Sequence, residues 1–118
     1  MTGGPTFMWF AEVARSLSTH LAAEGVVPPT FRAPPRTPGV TRALRRTGTS
    51  VTVAVRVRGR ERDDVLEDLA AGAYAALGRG PDTDRARAVR AIARWRAELA
   101  GDLTSSPARV AKRQTQAA

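Results

Sequence analysis

One stretch of this chain, residues 25–60, carries all of its net positive charge and most of its β-forming pattern. The stretch contains eight arginines and no aspartate or glutamate, whereas the rest of the chain has eleven basic and eleven acidic residues. Five prolines fall between positions 28 and 38, a density that excludes helix and favours an extended, partly polyproline II path. Helices are therefore expected only on either side of this stretch.

A two-stranded antiparallel β-hairpin is predicted after the prolines. Residues 40–46 and 51–58 are its strands, joined around the four residues Thr47–Ser50. In the second strand, valines alternate with threonine, alanine and arginine, which is the period of a half-buried strand. Because two strands alone are marginal in water, we expect the hairpin to lie on the helices, and it could also pair edge-to-edge with a second copy.

The register of this hairpin stays open at the level of sequence. If Arg46 pairs with Val51, then Leu44 lies opposite Val53 and Arg42 lies opposite Val55. The side chains of Arg45, Arg56 and Arg58 then project from the polar face. A three-residue loop would instead shift the faces of the first strand by one residue.

Three amphipathic helices are predicted around the hairpin. The first covers residues 6–24, with Thr6 as N-cap and Gly25 as the left-handed residue that ends it. The second covers residues 61–77, and Gly72 in its middle indicates close packing by another element. The third runs from about residue 83 to 99 or a little further. The predicted core stripes are Phe10, Val13, Ala14, Leu17 and Leu21; Val65, Leu66, Leu69, Ala73, Ala76 and Leu77; and Val89, Ile92, Trp95 and Leu99.

These elements predict an α+β fold. It consists of an N-terminal helix, a Pro-rich loop, the two-stranded hairpin and a C-terminal αα-hairpin, forming one small domain over residues 1–103. Residues 104–118 are polar and small and are predicted to be a disordered basic tail. Large apolar side chains are few, so we also expect a homodimer that shares a core.

The hairpin arginines are the predicted binding residues. Exposed strand faces often carry arginine simply to stay soluble and to prevent edge pairing. Such a face normally mixes charge signs, however, and this one does not, which favours contact with the phosphates of DNA or RNA. The predicted contacts are Arg42, Arg45, Arg46, Arg56, Arg58 and Arg60.

A secondary basic stripe lies on the third helix. Arg87, Arg90 and Arg94 share one face, opposite the predicted core stripe. They could make this helix a recognition helix, or they could be an ordinary solvated face. The turn before the helix contains Gly78, Gly80 and Pro81, which suits an antiparallel αα-hairpin better than a helix-turn-helix.

No catalytic, cofactor-binding or metal-binding site is predicted. Cysteine is absent, and His20 is the single histidine. Phosphate-binding loops and nucleophile motifs are also absent. The one acidic cluster, within residues 61–68, begins a helix, where carboxylates already favour the helix dipole. No uncharged run approaches the roughly 20 residues of a membrane span, so a cytoplasmic location is expected.

The sequence thus predicts a small non-enzymatic basic protein that binds nucleic acid through its Arg-rich hairpin. The alternative is a protein–protein adaptor, or an accessory subunit, that docks on an acidic protein surface or completes a sheet by strand addition.

Overall fold

The computed structural model describes residues 5–34, 41–47, 50–78 and 82–104. Within these residues the chain forms three helices and a three-stranded mixed sheet, so the predicted α+β class is confirmed. The elements are α1 (Phe7–Ala23), β1 (Thr30–Arg32), β2 (Arg42–Thr47), β3 (Ser50–Val55), α2 (Arg62–Leu77) and α3 (Asp82–Thr104). Helix α2 contacts α3, as expected of the predicted αα-hairpin. The predicted tail lies outside the described residues, apart from Thr104, which ends α3.

The sheet has three strands, and the prediction of two strands is wrong. The strand order is β1-β3-β2, with β1 parallel to β3 and β2 antiparallel to it. The third strand comes from the Pro-rich segment, which was expected to be a loop throughout. The four residues between Pro29 and Pro34 all have backbone N–H groups, and the first three extend along β3 as an edge strand, the position in a sheet where flanking prolines are tolerated.

The hairpin adopts the first of the two registers that the sequence allowed. Arg46 pairs with Val51, Leu44 with Val53 and Arg42 with Val55. Thr47 pairs with Ser50, and Gly48 and Thr49 between them lie outside the described residues. The strands are shorter than predicted, because β2 begins at Arg42 and β3 ends at Val55.

Both predicted ends of α1 are confirmed. The Thr6 hydroxyl oxygen accepts a hydrogen bond of 3.0 Å from the Trp9 backbone N–H, which caps the first turn. At the other end Gly25 has a φ of 84°, and its N–H donates to the Ala22 carbonyl at 2.9 Å. The Val26 N–H reaches back to the Leu21 carbonyl at 3.1 Å, which completes a Schellman motif.

The core lies between the helices and one face of the sheet. All five predicted residues of the α1 stripe are buried, together with the valines at 53, 55 and 57. The prediction for α3 is wrong at one position, because Val89 is 52% exposed while Ala88 and Ala91 are fully buried. Ala88 and Ala91 lie beside the buried Ile92 and Trp95, so these alanines, rather than Val89, complete the buried face of α3.

Gly72 packs directly against the sheet, as its position in the middle of α2 predicted. A Cβ built on this glycine would overlap Cγ1 of Val53, a fully buried residue at the centre of β3. Both strand partners of Val53, Phe31 and Leu44, lie on the same face of the sheet. The missing side chain therefore sets the distance between α2 and the sheet.

We expect the change Gly72→Ala to destabilise the fold, by about 1–3 kcal/mol, because overpacking outweighs the gain in helix propensity of roughly 1 kcal/mol. Chemical denaturation measures the change in free energy of unfolding. The double variant Gly72→Ala/Val53→Ala removes the Val53 methyl groups that would overlap the new Cβ. Its decrease in free energy of unfolding should therefore be smaller than the sum of the decreases in the two single variants. A stabilising Gly72→Ala would contradict the close packing.

Candidate nucleic-acid interface

The sheet has one covered face and one open face. On β3, Val53 and Val55 point to the helices and are fully buried. Thr52, Ala54 and, just beyond the strand, Arg56 point the other way and keep part of their surface exposed. Residues paired across a sheet share a face, so the neighbouring strands extend both surfaces. We call the surface away from the helices the open face; its residues are Thr30, Arg32, Thr41, Ala43, Arg45, Thr52, Ala54 and Arg56.

Three arginines lie on the open face, one from each strand or its extension. Arg32 is beside Ala54, Arg45 is beside Thr52, and the Arg56 N–H donates to the Thr41 carbonyl at 2.9 Å. Standard strand spacings place the Cα atoms of Arg32 and Arg56 about 8 Å apart, and those of Arg32 and Arg45 about 12 Å apart. Duplex DNA carries one charge per roughly 1.7 Å of axis, so a surface of this width faces several phosphates.

The arginines of the hairpin region differ from those of α3 in their ion pairing. Among the residues described, each arginine of α3 has a carboxylate within 4.0 Å. Six arginines of the sheet region have no such partner in the described segments, and we call them the unpaired set. They are Arg32, Arg42, Arg45, Arg46, Arg56 and Arg58.

Within the unpaired set, Arg56 carries a further sign of an incomplete environment. Its Nε is buried and finds no acceptor in the part of the chain that is described. A covered donor without an acceptor costs about 1–3 kcal/mol. Rotation of this side chain onto an anionic ligand would give the Nε the acceptor that it lacks.

The structure places Arg60, another predicted contact, inside the protein. Its Nη1 lies 2.9 Å from Oδ2 of Asp68 and donates to the Arg56 carbonyl at 3.0 Å. The Arg60 side chain is only 12% exposed. It therefore ties the end of the sheet to α2, and the acidic start of α2 neutralises this one arginine of the predicted group.

The remaining predicted contacts are exposed, or partly exposed in the case of Arg56, but do not share one face. Arg45 and Arg56 lie on the open face. Arg42 and Arg46 are on the helix-facing side of β2, at the edge of the sheet, where both are exposed. Arg58 follows β3 and is exposed. The structure thus divides the predicted group between a face, an edge and an internal ion pair.

The secondary basic stripe on α3 contacts carboxylates of the same protein. Arg90 Nε lies 3.2 Å from Oε1 of Glu24, and Arg94 also binds the Glu24 carboxylate. Arg87 Nη1 lies 3.9 Å from Oδ1 of Asp84. The pairs of Arg90 and Arg94 with Glu24 join α3 to the end of α1, while the Arg87–Asp84 pair lies within α3. The stripe therefore has a structural use that does not depend on any ligand.

Two glutamates between α1 and α3 are held in the charged form. The hydrogen bond from Arg94 is the main cause that lowers the pKa of Glu24, followed by that from Arg90, while loss of hydration opposes them. The Ser16 hydroxyl, which donates to Glu98 at 2.5 Å, is the main cause that lowers the pKa of Glu98, and His20 adds to it against loss of hydration. Both carboxylates therefore favour the packing of α1 on α3 when they are ionised.

We expect the stability of the fold to fall in acid partly through Glu24. The pKa of Glu24 is lower in the folded state than in the unfolded state, so its ionised carboxylate raises the free energy of unfolding. This stabilisation is complete above the ordinary pKa of about 4.3 and is lost as the pH falls through the lower pKa of the folded state. In Glu24→Gln, the dependence of unfolding free energy on pH below about 5 should be shallower. Glu12→Gln is the matched control, because Glu12 is exposed and makes no ion pair with a described residue. Equal slopes in the two variants would contradict this role.

Sequence reasoning missed Arg32, which the structure adds to the open face. It was left out because it follows two prolines in a segment predicted to be a loop. The available signal was Phe31, an aromatic residue between prolines that packs against the core and so fixes its neighbours in an extended conformation.

The described residues contain no cluster of three or more histidine, cysteine or acidic side chains that could hold a metal ion. None of the helices in the described segments combines the length and apolar character that crossing a bilayer requires. Comparisons of the sequence with protein-family models and with curated proteins, and of the structure with solved structures, found no match.

Proposed function

We propose that this is a small non-enzymatic protein whose open face binds nucleic acid through the phosphates. The observation that carries the proposal is the contrast in ion pairing. Arginines on α3 are matched by carboxylates of the same protein, whereas those of the unpaired set lie together around the sheet without any described carboxylate near them. An unbalanced group of cations is offset most readily by a polyanion.

The composition of the open face supports contact with the backbone rather than with bases. Threonine and alanine separate its arginines, and none of its residues is aromatic. Trp95 is fully buried, and the ring of Trp9 lies under the Arg62 guanidinium, with 5.3 Å between the guanidinium carbon and the ring centroid. Without a stacking platform, binding should be driven by charge and be weakly dependent on sequence.

Titration of duplex DNA, single-stranded DNA and RNA at two or more salt concentrations tests the proposal. For duplex DNA, we expect log affinity to fall with log salt by about 0.9 for each phosphate contact, which gives a slope near 3 if the open-face arginines act alone. Two duplexes of unrelated sequence should bind within a few-fold of each other. Absence of binding at low salt, or a slope near zero, would contradict the proposal.

The alternative function, a protein adaptor or accessory subunit, uses a different surface. Strand β2 lies at the edge of the sheet and is unpaired on its outer side within the described residues. A protein that docked there would leave Arg32 and Arg56 free. The two functions can therefore be tested with separate variants.

A further inference from the structure

The outer edge of β2 has a fixed pattern of free backbone groups. In an antiparallel pair, alternate residues direct both N–H and C=O toward the partner strand. The hydrogen bond between the Arg56 N–H and the Thr41 carbonyl sets the phase of this alternation. Ala43 and Arg45 therefore direct their backbone groups to β3, and Arg42, Leu44 and Arg46 direct theirs away from the sheet. No described strand pairs with these three residues.

The side chains of the same three residues form an alternating pattern of charge and apolar surface. All three lie on the helix-facing side of the sheet and are exposed, with Leu44 at 41%. Neither Arg42 nor Arg46 has a carboxylate partner among the described residues. A cavity of about 60 Å³ lies beside Leu44, between the hairpin and the alanines at 75 and 76 of α2.

Charge makes a second copy of this chain a poor partner for the edge. Two β2 strands that pair symmetrically about their outward-directed central residue place Leu44 opposite its own copy. Arg42 of each chain then lies opposite Arg46 of the other, twice over. Like charges directly opposite each other destabilise a sheet, whereas opposite charges at these positions stabilise it. The edge therefore favours an acidic strand over its own.

We propose that the outer edge of β2 binds an extended peptide segment with acidic residues at two positions flanking an apolar one, each separated by a single residue. The acidic side chains lie opposite Arg42 and Arg46, and the apolar side chain lies opposite Leu44. The pattern reads the same in both directions, so it suits parallel and antiparallel addition alike. This surface does not depend on the open face and stands apart from the nucleic-acid proposal.

A labelled peptide tests the proposal. It carries glutamate, valine and glutamate at alternate positions in a threonine background, and we expect it to bind the full chain. N-methylation at the glutamate and valine residues should abolish antiparallel binding without changing the charge, since their N–H groups face β2. Methylation at the intervening residues is the matched control and should preserve binding. Peptide binding should also slow hydrogen exchange at the amides of Arg42, Leu44 and Arg46, while Ala43 and Arg45 change little.

Two sets of variants separate strand addition from attraction by charge alone. Arg42→Glu/Arg46→Glu should lower the affinity for the glutamate peptide at least about tenfold. The same variant should bind a peptide in which lysine replaces the two glutamates. Leu44→Pro removes an outward N–H without removing a hydrogen bond to β3, so it should remove peptide binding while the fold and duplex DNA binding persist. Circular dichroism and a cooperative melt check the fold of each variant.

Several outcomes would overturn the proposal. The first is that the glutamate peptide does not bind. The second is that the peptide binds with the same affinity whichever residues are N-methylated. A dimer of the free protein that Leu44→Pro abolishes would assign the edge to a second copy instead. Protection of the Arg42, Leu44 and Arg46 amides by duplex DNA and not by the peptide would assign it to nucleic acid.

Discussion

Replacement of Trp95 by alanine should lower the free energy of unfolding by about 3–5 kcal/mol, the largest effect of a single substitution that we expect in this protein. Trp95 is fully buried between α1 and α3, and its Nε1–H donates to the Val13 carbonyl at 2.9 Å. Alanine would leave a large cavity where two helices meet. Small domains are stable by only about 5–15 kcal/mol, so much of the fold's stability would be lost. Urea denaturation followed by circular dichroism measures the change.

Two comparisons make the Trp95 prediction specific. Trp95→Phe keeps most of the apolar volume and loses the hydrogen bond to Val13, so its loss should be clearly smaller than that of alanine. Trp9→Ala is the control at the edge of the core, since Trp9 is partly exposed beneath Arg62. Equal losses in Trp95→Ala and Trp9→Ala would contradict the central position of Trp95.

Removal of the three open-face charges in Arg32→Gln/Arg45→Gln/Arg56→Gln should weaken duplex DNA binding by about 10²–10³-fold near 0.1 M salt. The physical reason is the loss of three phosphate contacts, each of which releases counterions from the DNA. The slope of log affinity against log salt should fall by about 2.7 for the same reason. Fluorescence anisotropy with a labelled duplex at several salt concentrations gives both quantities.

A matched variant on α3 shows whether position or total charge matters. Arg85→Gln/Arg87→Gln/Arg96→Gln removes the same three charges from residues that pair with Asp82, Asp84 and Glu67. These pairs are exposed, and pairs of that kind contribute only about 0–1 kcal/mol each to stability. We expect this variant to stay folded and to keep nearly the full salt slope. If both triple variants weaken binding equally, the effect is one of net charge, and the open face has no special role.

The sequence predicted those features of the fold that depend on residues close together in the chain. The α1 stripe is buried at every predicted position, and Thr6 and Gly25 end the helix as expected. The alternation of valines in β3 identified the buried face, and Gly72 indicated a close approach before its partner was known. In each case the signal lies within one element or beside it.

The remaining features depend on contacts between segments far apart in the chain. Strand β1 is three residues long and pairs with β3; Phe31 indicates an extended segment there, but its partner strand lies about 20 residues further along the chain and is not indicated locally. The pairing of Glu24 with Arg90 and Arg94 joins the end of α1 to α3. Arg60 was predicted to face outward, yet it forms an ion pair with Asp68, in the second turn of the next helix. Charge counts along the sequence located the basic region but could not say which arginines were already neutralised.

The most direct test of the nucleic-acid interface is a titration of the isotope-labelled protein with a short duplex, followed by backbone amide NMR shifts. We expect the largest changes at Arg32, Arg45, Thr52 and Arg56 on the open face, with α3 nearly unchanged. The assignment of the binding surface would be contradicted if the largest shift changes fell on Arg87, Arg90 and Arg94 and the amides of the open face did not change.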